Sequence, residues 1–187
     1  MRCFLAIALA DETRAALERL QADLPLGREV PAENLHLTLA FLDDRSVAEL
    51  EALHDGLEAL RLPAPRIEFA GLGVFGGKRP SSLHAAVAAS AELRALHARI
   101  RGLAAVAGFA LPRERFHPHV TLARFSGGLT TQDEMRLARY LGRFGSASVP
   151  GFTASAVTLF RSTLGRGAPV YDPLSDYPFG PAATDGA

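Results

Sequence analysis

Two histidines and two threonines in this chain recur in a pattern that invites chemistry. The stretch Phe116–Phe125, FHPHVTLARF, sets His119 and Thr121 two residues apart in a run whose neighbours, Val120 and Leu122, are apolar. The stretch Asn34–Phe41, NLHLTLAF, repeats the arrangement with His36, Leu37, Thr38 and Leu39. In a β-strand residues i and i+2 project from one face. Each run is therefore expected to bury its aliphatic side chains and to show one imidazole and one hydroxyl on the other face. A lone strand histidine reads as packing, since its polar ring needs only a partner. Two copies in corresponding places call for a shared purpose.

If the two strands face one cleft, its floor carries two imidazoles and two hydroxyls. Imidazoles with ordinary pKa values near ~6.5 can divide the roles of general acid and general base at neutral pH. Hydroxyls can donate to the non-bridging oxygens of a small anion and hold it between the rings. No strong nucleophile belongs to the set, and water attacking phosphorus requires none. Acid, base and two oxygen clamps describe phosphodiester cleavage without a metal or other cofactor.

Two rival readings use the same residues. His117 and His119 with His36 could form a three-histidine zinc site for a metal hydrolase, which leaves the duplicated threonines unexplained. A binding module for RNA ends or nucleotides, without turnover, would also keep the pattern. Of the other histidines, His54 and His97 are expected on helices at the surface or its boundary. His84 falls in a strand and could line either core or cleft. His117, just before Pro118, reads as a strand-entry residue.

The composition suits a compact protein with ample core: 187 residues, 48% hydrophobic, formal net charge zero. That balance excludes a generally basic nucleic-acid binder. The charge is uneven, however: residues 1–93 hold 14 acids and 9 bases, and residues 94–187 hold 6 and 11, so the second half can offer an anion a local field. Lys78 is the single lysine among 20 basic residues; the arginine bias reflects a GC-rich coding sequence or a preference for phosphate. Cys3 stands alone, which excludes a disulfide framework and a thiolate metal site. MRCFLAIALADE mimics a secretion signal, but its apolar run is short, and it reads better as a first buried strand. No run approaches the ~20 apolar residues of a membrane span. A cytoplasmic monomer is expected.

The elements that must position the four residues follow from periodicity and punctuation. A strand over Arg2–Leu9 leads to a helix from Asp11, as N-cap, to about Leu24, ended by Pro25 and Gly27. After the first motif strand, Ser46 and Glu49 form a capping box for a helix with Val47, Leu50, Leu53, Leu57 and Leu60 on one face. Arg66–Phe75 and Ser82–Ala88 are expected as a strand pair, and Ser90–Ala107 as a helix with Leu93, Leu96, Ile100 and Leu103 inward. The second motif strand precedes a helix over 130–144 with its acids in the first turn. One long strand over 152–164, a short edge strand at Val170–Tyr171 and a frayed end from Pro178 complete the chain. The order reads as an approximate internal duplication: an α+β fold of two lobes, each contributing one motif strand.

The sequence resembles the 2H phosphoesterase superfamily, and within it the bacterial and archaeal RNA 2′,3′-cyclic phosphodiesterases, also called 2′-5′ RNA ligases. RCFLAIAL, NLHLTLAFL, AGLGVF, FHPHVTLAR and LFRSTLGRGAPVYDPL match that family in order. The resemblance implies one bilobal α+β domain over 1–179, two pseudo-symmetric lobes with antiparallel sheets lining a central cleft and helices packed outside, followed by a flexible tail over 180–187. The resemblance implies hydrolysis of RNA 2′,3′-cyclic phosphate ends or cyclic nucleotides, with no cofactor and no metal, and reversible 2′-5′ ligation. It implies His36 as proton donor to the leaving oxygen, His119 as proton acceptor from water, and Thr38 and Thr121 as phosphate ligands. Phe41 and Tyr171 are candidates to stack on a terminal base, core packing being the alternative for both. Arg124 and Arg161 are phosphate candidates, Arg124 being out of phase with His119. Two departures are visible: Asp43 stands where a glycine usually follows AFL, and His84 where an aromatic residue is frequent.

Overall fold

The computed structural model describes residues 1–113, 115–165 and 167–180. In chain order the elements are β1 (Arg2–Ala8), α1 (Asp11–Ala22), β2 (Arg28–Glu29), a 3₁₀ turn (Ala32–Asn34), β3 (His36–Asp44), α2 (Val47–Glu58), β4 (Arg66–Ile67), β5 (Phe69–Phe75), β6 (Ser82–Val87), α3 (Ala91–Val106), β7 (His119–Arg124), α4 (Thr131–Phe144), β8 (Phe152–Thr153), β9 (Ala156–Thr163) and β10 (Val170–Pro178). Seven strands follow one path, β10-β9-β1-β3-β7-β6-β5, β2 pairs with β7, and β4 with β8 makes a separate two-stranded sheet. All pairs are antiparallel. The expected α+β architecture is observed, with the strands of the two halves joined along a seam where the motif strands β3 and β7 meet.

Local chemistry explains the helices. The capping box of α2 forms as expected, Glu49 N–H donating to Ser46 Oγ and Ser46 N–H to Glu49 Oε2. Thr130 and Asp133 build a second box on α4, and the Ser90 hydroxyl accepts from Leu93 N–H at the start of α3. The start of α1 differs from expectation. Ala10 is its N-cap with no side-chain bond, and Asp11 lies in the first turn, paired with Arg14 at 3.2 Å. Leu17, Leu53, Leu57, Leu93, Leu96 and Ile100 bring the helices onto one core with Leu37 and Val120. Leu103 is only partly buried, and Ala104 occupies the inward position instead.

Three strand expectations are corrected. The run Arg66–Phe75 splits at Glu68, because Arg66 and Ile67 pair with Thr153 and Phe152 while Phe69 onward pairs with β6. The run 152–164 splits for the same reason, β8 and β9 serving different sheets. The short edge strand is nine residues long and reaches Pro178. An irregularity between Pro173 and Ser175 lets pairing with β9 continue past the proline. Phe179 N–H still donates to Ser155 O, and Gly180 bridges to Pro63, so fraying does not begin at Pro178. The tail expected over 180–187 otherwise lies outside the described residues.

Candidate active site

β3 and β7 are registered through the pair Leu37–Val120. Carrying that antiparallel register one residue each way sets His36 opposite Thr121 and Thr38 opposite His119, all four on the face away from Leu37 and Val120. Burial follows the same alternation: Leu37, Leu39, Val120 and Leu122 are buried, while the histidines and threonines are half-buried. The four side chains line one cavity of about 580 Å³.

The histidines are held alike. Nδ1 of His36 lies 2.7 Å from the Asn34 carbonyl oxygen, and Nδ1 of His119 lies 2.7 Å from that of His117. A carbonyl only accepts, so each Nδ1–H donates and each Nε2 is left for chemistry. Asn34 is anchored in turn, its side-chain amide donating to Pro169 O at 2.7 Å.

A matched pair of β-bulges extends the site. Against β1, Ala6 pairs with Thr38 but Leu5 with Ala40, leaving Leu39 as the extra residue. Against β6, His84 pairs with Thr121 but Leu83 with Ala123, leaving Leu122 as the extra residue. Each bulge reverses the strand's alternation. Ala40 and Ala123 turn to the core, and Phe41 and Arg124 turn into the cavity. Arg124 is thus brought into phase with His119, and Phe41 is 59% exposed, which overturns the core-packing alternative. The second bulge is pinned: the Leu122 carbonyl accepts 2.8 Å bonds from the buried Gln21 side chain and from Val30 N–H.

Aromatic rings wall both imidazoles. His36 packs against Phe4 and Tyr171, with ring centroids 4.8 and 5.3 Å apart, and Phe160 stacks on Phe4 at 5.2 Å. His119 packs against Phe75 at 4.7 Å and His84 at 5.4 Å. Burial pushes the His36 imidazole down to about 4, with repulsion from His119 and Arg124 adding to the effect against the bond to Asn34. Burial also lowers His119, with Arg124 and His117 contributing in the same direction. Both shifts favour the neutral imidazole.

Sequence reasoning missed Phe4, Phe75, Phe160 and Gln21; the shared Thr-Leu-Ala after each histidine was the available signal for the bulges. Tyr171 lines the cavity, half-buried beside His36. Arg161 does not: its guanidinium donates twice to Asp172 Oδ2, at 2.9 and 3.2 Å, across β9 and β10. His84 registers opposite Thr121 on the cleft face but is buried, stacked on Phe75 at 3.9 Å. Gly73 makes room for it, since a Cβ there would lie 2.7 Å from His84 Nε2. Asp43 lines the cavity with a φ of 56°, left-handed backbone that glycine adopts most readily. The three-histidine alternative is not assembled. Among the described residues no three His, Cys, Asp or Glu side chains converge as metal ligands, and His117 contributes its carbonyl to His119.

Residues 9–166 match the model of the 2′-5′ RNA ligase superfamily. An Aeropyrum pernix protein named RNA 2′,3′-cyclic phosphodiesterase is 32% identical over 149 residues, which cover 79% of this chain and 83% of that protein. An Escherichia coli K12 protein of the same name is 31% identical over 180 residues, 92% of this chain and 93% of that one. The crystal structure of E. coli LigT complexed with 3′-AMP matches with a TM-score of 0.76 at 26% identity, covering 95% of this chain and 97% of that chain.

Proposed function

The chain belongs to the 2′-5′ RNA ligase superfamily, and on that premise we propose that it hydrolyses RNA 2′,3′-cyclic phosphate ends to 2′-phosphomonoesters with His36 and His119 as acid and base. The observation that carries the reading is the pair of matched histidines, each Nδ1–H bound to a backbone carbonyl at 2.7 Å and each Nε2 left unengaged by that bond. Thr38 and Thr121, on the same face, hold the non-bridging phosphate oxygens. Arg124 offsets the charge that builds on phosphorus, and Phe41 and Tyr171 flank the terminal base.

The lowered proton affinity of His36 fits an acid that is loaded with its substrate. The phosphodiester anion entering the cleft favours the imidazolium, so binding raises the pKa that burial has depressed. His119 stays neutral and takes a proton from water as its oxygen attacks phosphorus. His36 gives its proton to the oxygen leaving on the opposite side, O3′ in this assignment, so the 2′-phosphate remains. With a 5′-hydroxyl attacking in place of water, the same steps form a 2′-5′ linkage as O3′ leaves, and their reversal cleaves that linkage to the cyclic phosphate.

The reaction needs no metal in this reading. It also has the protein act in the cytoplasm as a monomer; light scattering at about 20 kDa checks the latter. The reaction is tested on a cyclic-ended oligoribonucleotide in the presence of a chelator, with phosphorus NMR of the product. A 2′-phosphate is expected. A 3′-phosphate would reverse the sugar's orientation or the two roles, and loss of turnover on chelation would remove the metal-free mechanism.

A further inference from the structure

Behind His119 lies a second cavity, of about 430 Å³, that the chemistry above does not use. Phe75, Arg115, Phe116 and His117 line both spaces, so the cavity adjoins the cleft. Arg94 also lines this cavity, as does His84, a residue 8% exposed whose Nδ1 finds no partner among the described residues. No carboxylate is among the described residues that line it.

We propose that this cavity is a second nucleotide subsite, which takes the residue on the 5′ side of the reacting end, so that an RNA strand is preferred over a free cyclic nucleotide. The inference rests on the reading of the cleft as a cyclic-phosphate site. Arg94 and Arg115 offer guanidinium forks to the phosphodiester that joins the two nucleotides. Phe116, half-buried and already stacked on His97 at 3.8 Å, supplies an aromatic edge for a base. Charge supports the same path: residues 93–132 carry six arginines and one acid. Arg94 also ends the first turn of α3, where a cation opposes the helix dipole and gains nothing from its own helix.

The test compares an adenosine mononucleotide with an RNA tetranucleotide, both ending in a 2′-phosphate, by calorimetry on wild type and on Arg94→Ala. The tetranucleotide is expected to bind wild type at least about tenfold more tightly, with a salt slope steeper by about 0.7 for each added phosphate contact. Arg94→Ala is expected to remove most of that advantage and about one contact's worth of slope, leaving the mononucleotide unchanged; Arg94→Lys should keep the slope. Equal weakening of both ligands, or an unchanged tetranucleotide affinity, overturns the subsite. Turnover of the matching cyclic substrates, measured alongside, separates the two claims: absence of hydrolysis on both refutes the hydrolase reading, whereas the binding comparison decides the subsite.

Discussion

Leu37 and Val120 face each other across the seam of the sheet and are both fully buried. Around this pair the two His-x-Thr segments run antiparallel, so that each histidine stands across from the other strand's threonine. An apolar contact in the core thereby sets the geometry of a polar site on the opposite face.

Leu37→Ala is expected to destabilise the fold by about 2–5 kcal/mol and to lower activity further than its stability loss explains. Leu37→Met, which keeps the volume, should restore most of both. Thermal melts beside initial rates at a temperature where each variant is folded make the comparison; full activity in Leu37→Ala would detach the seam from the site.

His36→Ala and His119→Ala should each lower turnover by about two to four orders of magnitude through lost acid–base catalysis. The double variant should lose less than the combined effect if the rings act as a pair. Thr38→Ala and Thr121→Ala should lose less, since each removes one neutral hydrogen bond. Single-turnover rates settle the order, and wild-type turnover without His119 would remove it from the mechanism.

Gln21→Leu leaves the Leu122 carbonyl with one of its two donors. A stability loss of about 1–3 kcal/mol is expected, with a raised KM because the bulge no longer holds Arg124 in the cavity. In an Arg124→Ala background the KM effect of Gln21→Leu should vanish. If the two changes remain additive in KM, the bulge does not act through Arg124.

Asp43→Gly should lower KM for an anionic substrate severalfold, because it removes a carboxylate from the cavity lining and suits the left-handed backbone. Asp43→Asn should match it in KM without the backbone relief. An unchanged KM in both variants would show that the carboxylate is too far from the bound phosphate to matter.

The depressed histidines tie stability to acid pH. His36 and His84 each fall from an ordinary value of 6.5 to about 4 on folding. Between those values the unfolded chain binds more protons, so stability is full above pH ~6.5 and declines as the pH falls toward 4. Melting temperature is expected to drop across that window, and His84→Phe should flatten the slope. A slope unchanged by His84→Phe would mean that His84 is not held neutral by its burial.

Much of this protein was determined by the order of its residues. Alternation placed each histidine with its threonine and each leucine or valine behind them, because a strand's two faces are a local property. Capping residues located α2 for an equally local reason. The bulges at Leu39 and Leu122 were decided only by tertiary structure, since an extra residue exists relative to a partner strand, and neither β1 nor β6 is adjacent in sequence. Those bulges carried Phe41 and Arg124 into the cleft against the simple parity of their strands. Partner choice also split Arg66–Phe75 between two sheets and extended β10 through Pro173. Arg161 shows the same dependence in reverse: its charge suggested a phosphate, but cross-strand register set Asp172 beside it and gave the guanidinium a partner in the sheet. Which face a residue shows follows from its own strand; which residue it meets depends on the neighbour that the fold supplies.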